Sequence, residues 1–155
     1  MFFLVLWAAG LVSGIVHILV SGRPATLFFI SEILLLHQFV VTFGLCGVIG
    51  LVGNILLAGK NAARAEWPHG PFQYKYGFTQ LGLGILGIMT VWFNGNFRIA
   101  ALLNMYLYGL SGLYTHTQQM VKNGKPDADN VLNIIMCLVY QAFLTFLSIN
   151  AGIWQ

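Results

Sequence analysis

The chain predicts an all-α integral membrane bundle, a single domain of five transmembrane helices over residues 1–155. Three observations carry that expectation. Five apolar stretches fill nearly all of the 155 residues, at about Phe2–Val20, Leu27–Ala58, Tyr74–Phe93, Arg98–Val121 and Val131–Ile153. Each approaches or exceeds the roughly 20 residues that cross a bilayer core as helix. Charged groups are scarce, with seven Lys or Arg and four Asp or Glu. The longest connection, Gly59 to Gln73, leaves no room for a soluble domain. A net charge of +3 from so few groups bears on topology and excludes a nucleic-acid partner.

The first stretch lacks the basic leader and the small-residue cleavage site of a signal peptide, so a retained span is expected. Gly10, Ser13, Gly14 and His17 suit packing within it. Gly22-Arg23-Pro24 separates it from the second, for which Thr26 is the expected N-cap. The second stretch is overlong, which predicts tilt or projection beyond the bilayer. Gly44, Gly47, Gly50 and Gly53 recur every third residue and form a slanting flat groove along it. Small faces let helix backbones approach closely, either inside one bundle or against another chain.

Trp67 to Pro71 reads as a rigid non-helical piece, because two prolines and a glycine oppose helix. The third span then carries Gly77, Gly84 and Gly87. Asn94-Gly95-Asn96 is a tight turn, so the third and fourth spans form an antiparallel hairpin. Lys122 to Pro126 ends the fourth, and Asp127 to Asn130 supplies a cap for the fifth.

Polar residues fall into stripes. Asn104, Tyr108, Ser111 and Thr115 share one face of the fourth span, and Asn133, Cys137, Gln141, Thr145 and Ser148 one face of the fifth. Gln38, Thr42 and Cys46 do the same in the second. Unpaired polar groups are costly in hydrocarbon, so these faces are expected to turn inward. Two readings follow: hydrogen bonds that join helices, or a hydrated, ligand-holding cavity. Cys46 and Cys137 read as buried thiols acting as small hydrophobes, against a redox or disulfide role.

Charge asymmetry sets the orientation. Lys60, Arg64, Lys75, Lys122 and Lys125 fall on one side, and Arg23 and Arg98 on the other. The positive-inside rule places the N-terminus in the cytoplasm and the C-terminus outside a cell membrane.

Among titratable groups Glu32 stands out, a few residues into the second span, where an ionisable group is a functional candidate. Folding the first two spans about their loop brings His17 near its level and leaves His37 about two turns deeper. The His17–Glu32 pair reads either as a proton-handling couple or as a hydrogen bond fixing the hairpin, with Glu32–Arg23 as a competing contact. On the cytoplasmic side, His116, Gln119, Gln73, Glu66 and His69 come to one surface. Glu66-x-x-His69 resembles half of a di-iron carboxylate motif, but Pro68 interrupts the helix that motif needs and no second copy exists. No metal is expected, and no haem, since no two histidines are level in facing spans. Trp7, Trp67, Trp92 and Trp154, with Tyr74 and Tyr76, suit an interfacial aromatic belt.

At Phe72-Gln73-Tyr74-x-x-Gly77-Phe78, the Gly82–Gly87 run and Tyr114-x-His116-x-x-Gln119-Met120, the chain resembles a family of small bacterial and archaeal multi-span membrane proteins known only as a domain of unknown function. The resemblance covers about half the chain and implies no established activity. It places emphasis on Gln73, Gly77 and His116 as a shared cytoplasmic-side site. Lys75 stands where the family leads one to expect an acidic residue, which removes a partner for His116.

The leading functional expectation is a binding or assembly component without a cofactor, such as an accessory subunit of a larger membrane complex. Its partners would be membrane lipids and other membrane chains or further copies of itself. The alternative is a transporter or channel for a small solute or proton, with the polar stripes lining the path. An intramembrane enzyme acting on a lipid or quinone through His116 and Glu66 ranks third.

Overall fold

The computed structural model describes residues 2–60, 70–124 and 126–155. Those residues form helices and no strand. Helix α1 spans Phe2–Val20, α2 Leu27–His37 and α3 Gly44–Ile55, with a π-helical stretch at Gln38–Phe43 joining the last two into one rod. Helix α4 spans Pro71–Met89, α5 Asn96–Asn123 and α6 Ala128–Asn150. Three of these runs, Phe3–Val20, Leu27–Ile55 and Ala128–Asn150, are long and apolar enough to cross a membrane. Membrane association is the class these runs define.

Local chemistry sets most boundaries. Thr26 caps α2, its hydroxyl accepting from the Phe29 amide at 3.2 Å. Asp127 caps α6, accepting from the Asn130 amide at 2.9 Å. Gly95 and Gly124 hold φ of 58° and 68°, where a side chain would be strained, and these turns separate α4 from α5 and α5 from α6. One boundary differs from expectation: α4 begins at Pro71, not Tyr74. A proline at the first helical position surrenders only an amide that has no helical partner, so it starts the helix. The expected non-helical Trp67–Pro68–His69 segment, with Arg64 and Glu66, lies outside the described residues, as does Lys125.

The π-helical stretch carries the core. Gln38, Phe39, Thr42 and Phe43 are all almost fully buried. Together with Leu35, Leu83, Leu102, Met105, Tyr140, Leu144 and Leu147 they form its centre. Two glycines admit the stretch from either side. A Cβ on Gly10 of α1 would strike the Thr42 hydroxyl, and one on Gly87 of α4 would strike the Phe39 carbonyl.

Below it α3 crosses α4 at backbone contact. A Cβ on Gly47 would stand 2.7 Å from the Gly84 Cα, and Gly50 leaves room for the Gln80 side chain. Gly44 faces Ile88. The Gly44–Gly47–Gly50 face is therefore filled by the chain's own α4, and Gly53 lines a groove beside Asn54 and Gln80. Helix α5 packs mainly along α6 and touches α4 little.

Candidate functional site

Three polar groupings occupy successive depths of the bundle. At the centre, Gln38 Oε1 accepts from the Thr42 hydroxyl at 2.8 Å and from the Tyr140 hydroxyl at 3.0 Å. Phe3, Trp7, Phe43 and Phe143 ring Tyr140, with edge-on approaches of 4.9 Å from Phe3 and 5.3 Å from Trp7. Trp7 is thus half-buried, packed against the core. Trp92 and Trp154 are exposed, as a belt requires.

A second network crosses α3, α4 and α5. Asn54 donates to Gln80 Oε1 at 2.8 Å, and Gln80 Nε2 donates to the Tyr108 hydroxyl at 2.8 Å. The Cys46 thiol reaches the same hydroxyl at 3.5 Å, and the Tyr76 phenol lies beside it. Tyr108 divides two hollows: an open groove along Cys46, Gly50, Asn54 and Gln80, and a more enclosed cavity of ≈ 140 Å³ between α5 and α6.

That cavity gathers several of the sequence candidates. Its wall includes Tyr108, His116, Asn133, Cys137 and Gln141, with aromatic faces from Phe3, Phe43, Tyr76 and Tyr140. Gly109 and Gly112 make it possible: a Cβ on Gly109 would overlap the Gln141 amide, and one on Gly112 would stand 3.3 Å from the Cys137 sulfur. His116 is set by a chain of two hydrogen bonds. Asn130 Nδ2 donates to the Asp127 carboxylate at 2.7 Å, which turns Asn130 Oδ1 toward His116 Nδ1 at 2.6 Å. A carbonyl oxygen only accepts, so Nδ1 carries a proton, and in the neutral imidazole Nε2 is then the acceptor. Asp127 lies at the helix start outside the apolar run, and hydrogen bonds from the Asn130 side chain and amide hold its carboxyl below the usual value. The Gln141 Oε1 is buried with no partner among the described residues.

Other candidates separate. Gln73 donates to the Ala58 carbonyl at 2.9 Å, and Gln119 lines a surface hollow with Tyr114, Gln118 and Lys122. His116, Gln73 and Gln119 therefore have different partners among the described residues. The reason is the lean of α5 onto α6, which presents His116 to Asn130. Glu66 and His69 lie outside the described residues. Asn104 is exposed, as is Thr145, which bonds to the Tyr106 hydroxyl and to the Gln141 carbonyl, both at 2.8 Å. The inward stripe on α5 is Leu102, Met105 and Gly109, flanking the polar one. Ser111 and Thr115 need no interior partner because they donate to carbonyls of their own helix.

The histidine pairing also differs from expectation. His17 Nδ1 meets His37 Nε2 at 3.0 Å, and His37 Nδ1 meets the Ser13 hydroxyl at 2.9 Å. Helical side chains lean toward the N-terminus of their own helix. In antiparallel α1 and α2 the two imidazoles therefore lean toward each other and close a gap of two turns. Glu32 instead faces Arg98 at 3.6 Å, while Arg23 sits over the Phe29 ring. Among the described residues no three His, Cys, Asp or Glu side chains form a metal-binding group, and Cys46 and Cys137 are free thiols.

Sequence reasoning passed over Gln80, Asn54 and Asn130 as site residues. Gln80 was findable: it sits three after Gly77 and four before Gly84, on the face that α4 turns to α3.

The fold and its cavities define an all-helical, membrane-associated bundle with a polar interior. The chain belongs to a family of unknown function, DUF6790, whose family model matches residues 1–151 and so covers nearly the whole chain, well beyond the half expected. No curated protein and no solved structure shows a significant match.

Proposed function

We propose that this protein is a five-span membrane component, N-terminus in the cytoplasm, that binds a small amphipathic molecule in the cavity between α5 and α6. One observation carries the reading: His116, fixed by Asn130 and Asp127 with Nε2 left as an acceptor, stands in a cavity with aromatic walls. At ≈ 140 Å³ the space is close to that of an engineered cavity of about 150 Å³ that takes benzene. A ring-sized body, or the head of a longer amphiphile, fits. A hydroxyl or acid proton on it would donate to His116 Nε2, and a further donor would satisfy Gln141 Oε1.

Exposed apolar side chains support α4 and α5 as spans beside the three longer apolar runs. Phe78 and Ile85 on α4, and Leu103, Leu107 and Leu110 on α5, present apolar surface that lipid would cover. The positive-inside rule then gives the stated topology. The filled glycine faces favour a binding role over docking into a larger complex through those faces.

Native mass spectrometry of the protein in a mild, lipid-preserving detergent tests the reading. Retained non-protein mass in the wild type, lost in Gly112→Leu and in His116→Leu, is the expected result. A bare chain that also gains no stability from added phenols or quinols overturns it. A particle of several different chains would move the weight to assembly.

A further inference from the structure

At the opposite end of the bundle a separate cavity of ≈ 190 Å³ lies where α2, the α4–α5 turn and the C-terminal segment meet. Its charged wall is Glu32 and Arg98, and its apolar wall includes Leu35, Leu36, Phe39 and Ile153. The guanidinium there is poorly partnered. One terminal nitrogen lies 3.6 Å from the Glu32 carboxylate, beyond good hydrogen-bonding distance, and the other donates to the Thr90 carbonyl at 3.5 Å. Its Nε is buried and has no partner among the described residues. Arg98 carries five donors in a planar fork, a geometry matched to a phosphate or carboxylate oxygen pair.

The pair cannot suit a simple anion, because Glu32 would repel it. A group with an anion for Arg98 and a primary ammonium for Glu32 satisfies both. The cavity has room for about six waters at roughly 30 Å³ each, the scale of such a group. It sits beside the α4–α5 turn and the C-terminal segment that follows α6, at a helix-end level that lipid headgroups occupy in a membrane-spanning bundle. Leu36 and Ile153, both partly exposed, supply the apolar wall on which the first methylenes of an acyl chain would lie.

We propose that this cavity holds the headgroup of a zwitterionic phospholipid bearing a primary ammonium, with phosphate on Arg98 and ammonium on Glu32. The same chemistry exists in free phosphoethanolamine, so the test separates the two sources. The site is independent of the α5–α6 cavity and rests only on membrane association.

The delipidated full chain in detergent is titrated, by native mass spectrometry and thermal shift, with phosphatidylethanolamine, phosphatidylcholine and phosphatidylglycerol of identical acyl chains. Phosphatidylethanolamine should bind about tenfold more tightly than either other lipid, since choline has no N–H for Glu32 and glycerol no cation. Arg98→Gln should weaken binding of all three lipids about tenfold, since each carries the phosphate. Glu32→Gln should shift the preference toward phosphatidylglycerol, a change of selectivity that loss of folding cannot mimic. Equal binding of the three lipids, an unchanged preference in Glu32→Gln, or unchanged affinity in Arg98→Gln overturns the proposal. Binding of free phosphoethanolamine without binding of the lipid overturns the lipid assignment.

Discussion

Gly47→Ala is the sharpest test of how the bundle is held. The added Cβ would stand 2.7 Å from the Gly84 Cα and 2.8 Å from the Gln80 carbonyl oxygen, where ordinary contact begins at 3.4 Å. Both neighbours are backbone, so no rotamer change relieves the clash and α3 must move off α4. Separating the two helices loosens the Gln80–Tyr108 bond as well, because Gly50, three residues on, is what admits the Gln80 side chain. Overpacking of this kind costs about 1–3 kcal/mol. Gly82→Ala is the matched control: the same substitution on α4 meets nothing within 4 Å. It should be neutral or stabilising by up to about 1 kcal/mol, since alanine is the better helix former. Denaturant titration of both variants in one detergent, followed by far-UV circular dichroism, reads the difference. Equal midpoints for Gly47→Ala and Gly82→Ala would refute the close crossing.

Removing the Tyr140 hydroxyl with Tyr140→Phe leaves Gln38 Oε1 with Thr42 alone and should cost about 0.6 kcal/mol, the average for interhelical hydrogen bonds in membranes, measured by the same titration. Asp127 gives a pH dependence of known sign. Its folded-state carboxyl titrates below the unfolded one, so its stabilisation is full above the unfolded pKa and is lost as pH falls through the folded pKa. Asp127→Asn keeps an N-capping side chain and should remove that acid-side loss, which a pH series of melting curves checks. In the same variant the His116 tautomer is released, and the His116 ring resonances in nuclear magnetic resonance should report it.

Local chemistry was legible in the sequence where a single residue decides the outcome. Thr26 and Asp127 accept an amide at the start of their helices, and Gly95 and Gly124 bound α5 because only glycine adopts those angles without strain. The glycine periodicity on α3 and α4 was legible too, since small residues in lipid have one main structural use. The π-helical stretch was not. Nothing in Gln38-Phe39-Val40-Val41-Thr42-Phe43 sets it apart from the apolar helix around it, and what accompanies it is tertiary, the close approach of Gly10 and Gly87. The His17–His37 contact was missed because counting residues from a loop places backbones, whereas reactive groups sit at the ends of side chains with a lean of their own. Asn130 was read only as part of a helix start, although its amide joins the cap to the histidine.

The layer between the two cavities bears on the transport alternative. Phe39, Phe43, Leu102, Met105, Tyr140, Leu144 and Leu147 are each no more than 1 % exposed, and among them Gln38 Oε1 accepts from Thr42 and Tyr140 while Gln38 Nε2 is buried with no partner among the described residues. Polar stripes on α3, α5 and α6 thus end at a closely packed plug, with the Glu32–Arg98 cavity on one side and the His116 cavity on the other. A proton or solute would have to cross this closely packed layer and break the bonds to Gln38 Oε1. Liposomes holding the purified protein under an imposed pH gradient should therefore lose it no faster than protein-free liposomes. Tyr140→Ala, which empties the centre of the plug, should leak. Dissipation by the wild type at a rate above that of empty vesicles would show that the layer opens, and would turn the two cavities from separate binding sites into the ends of one path.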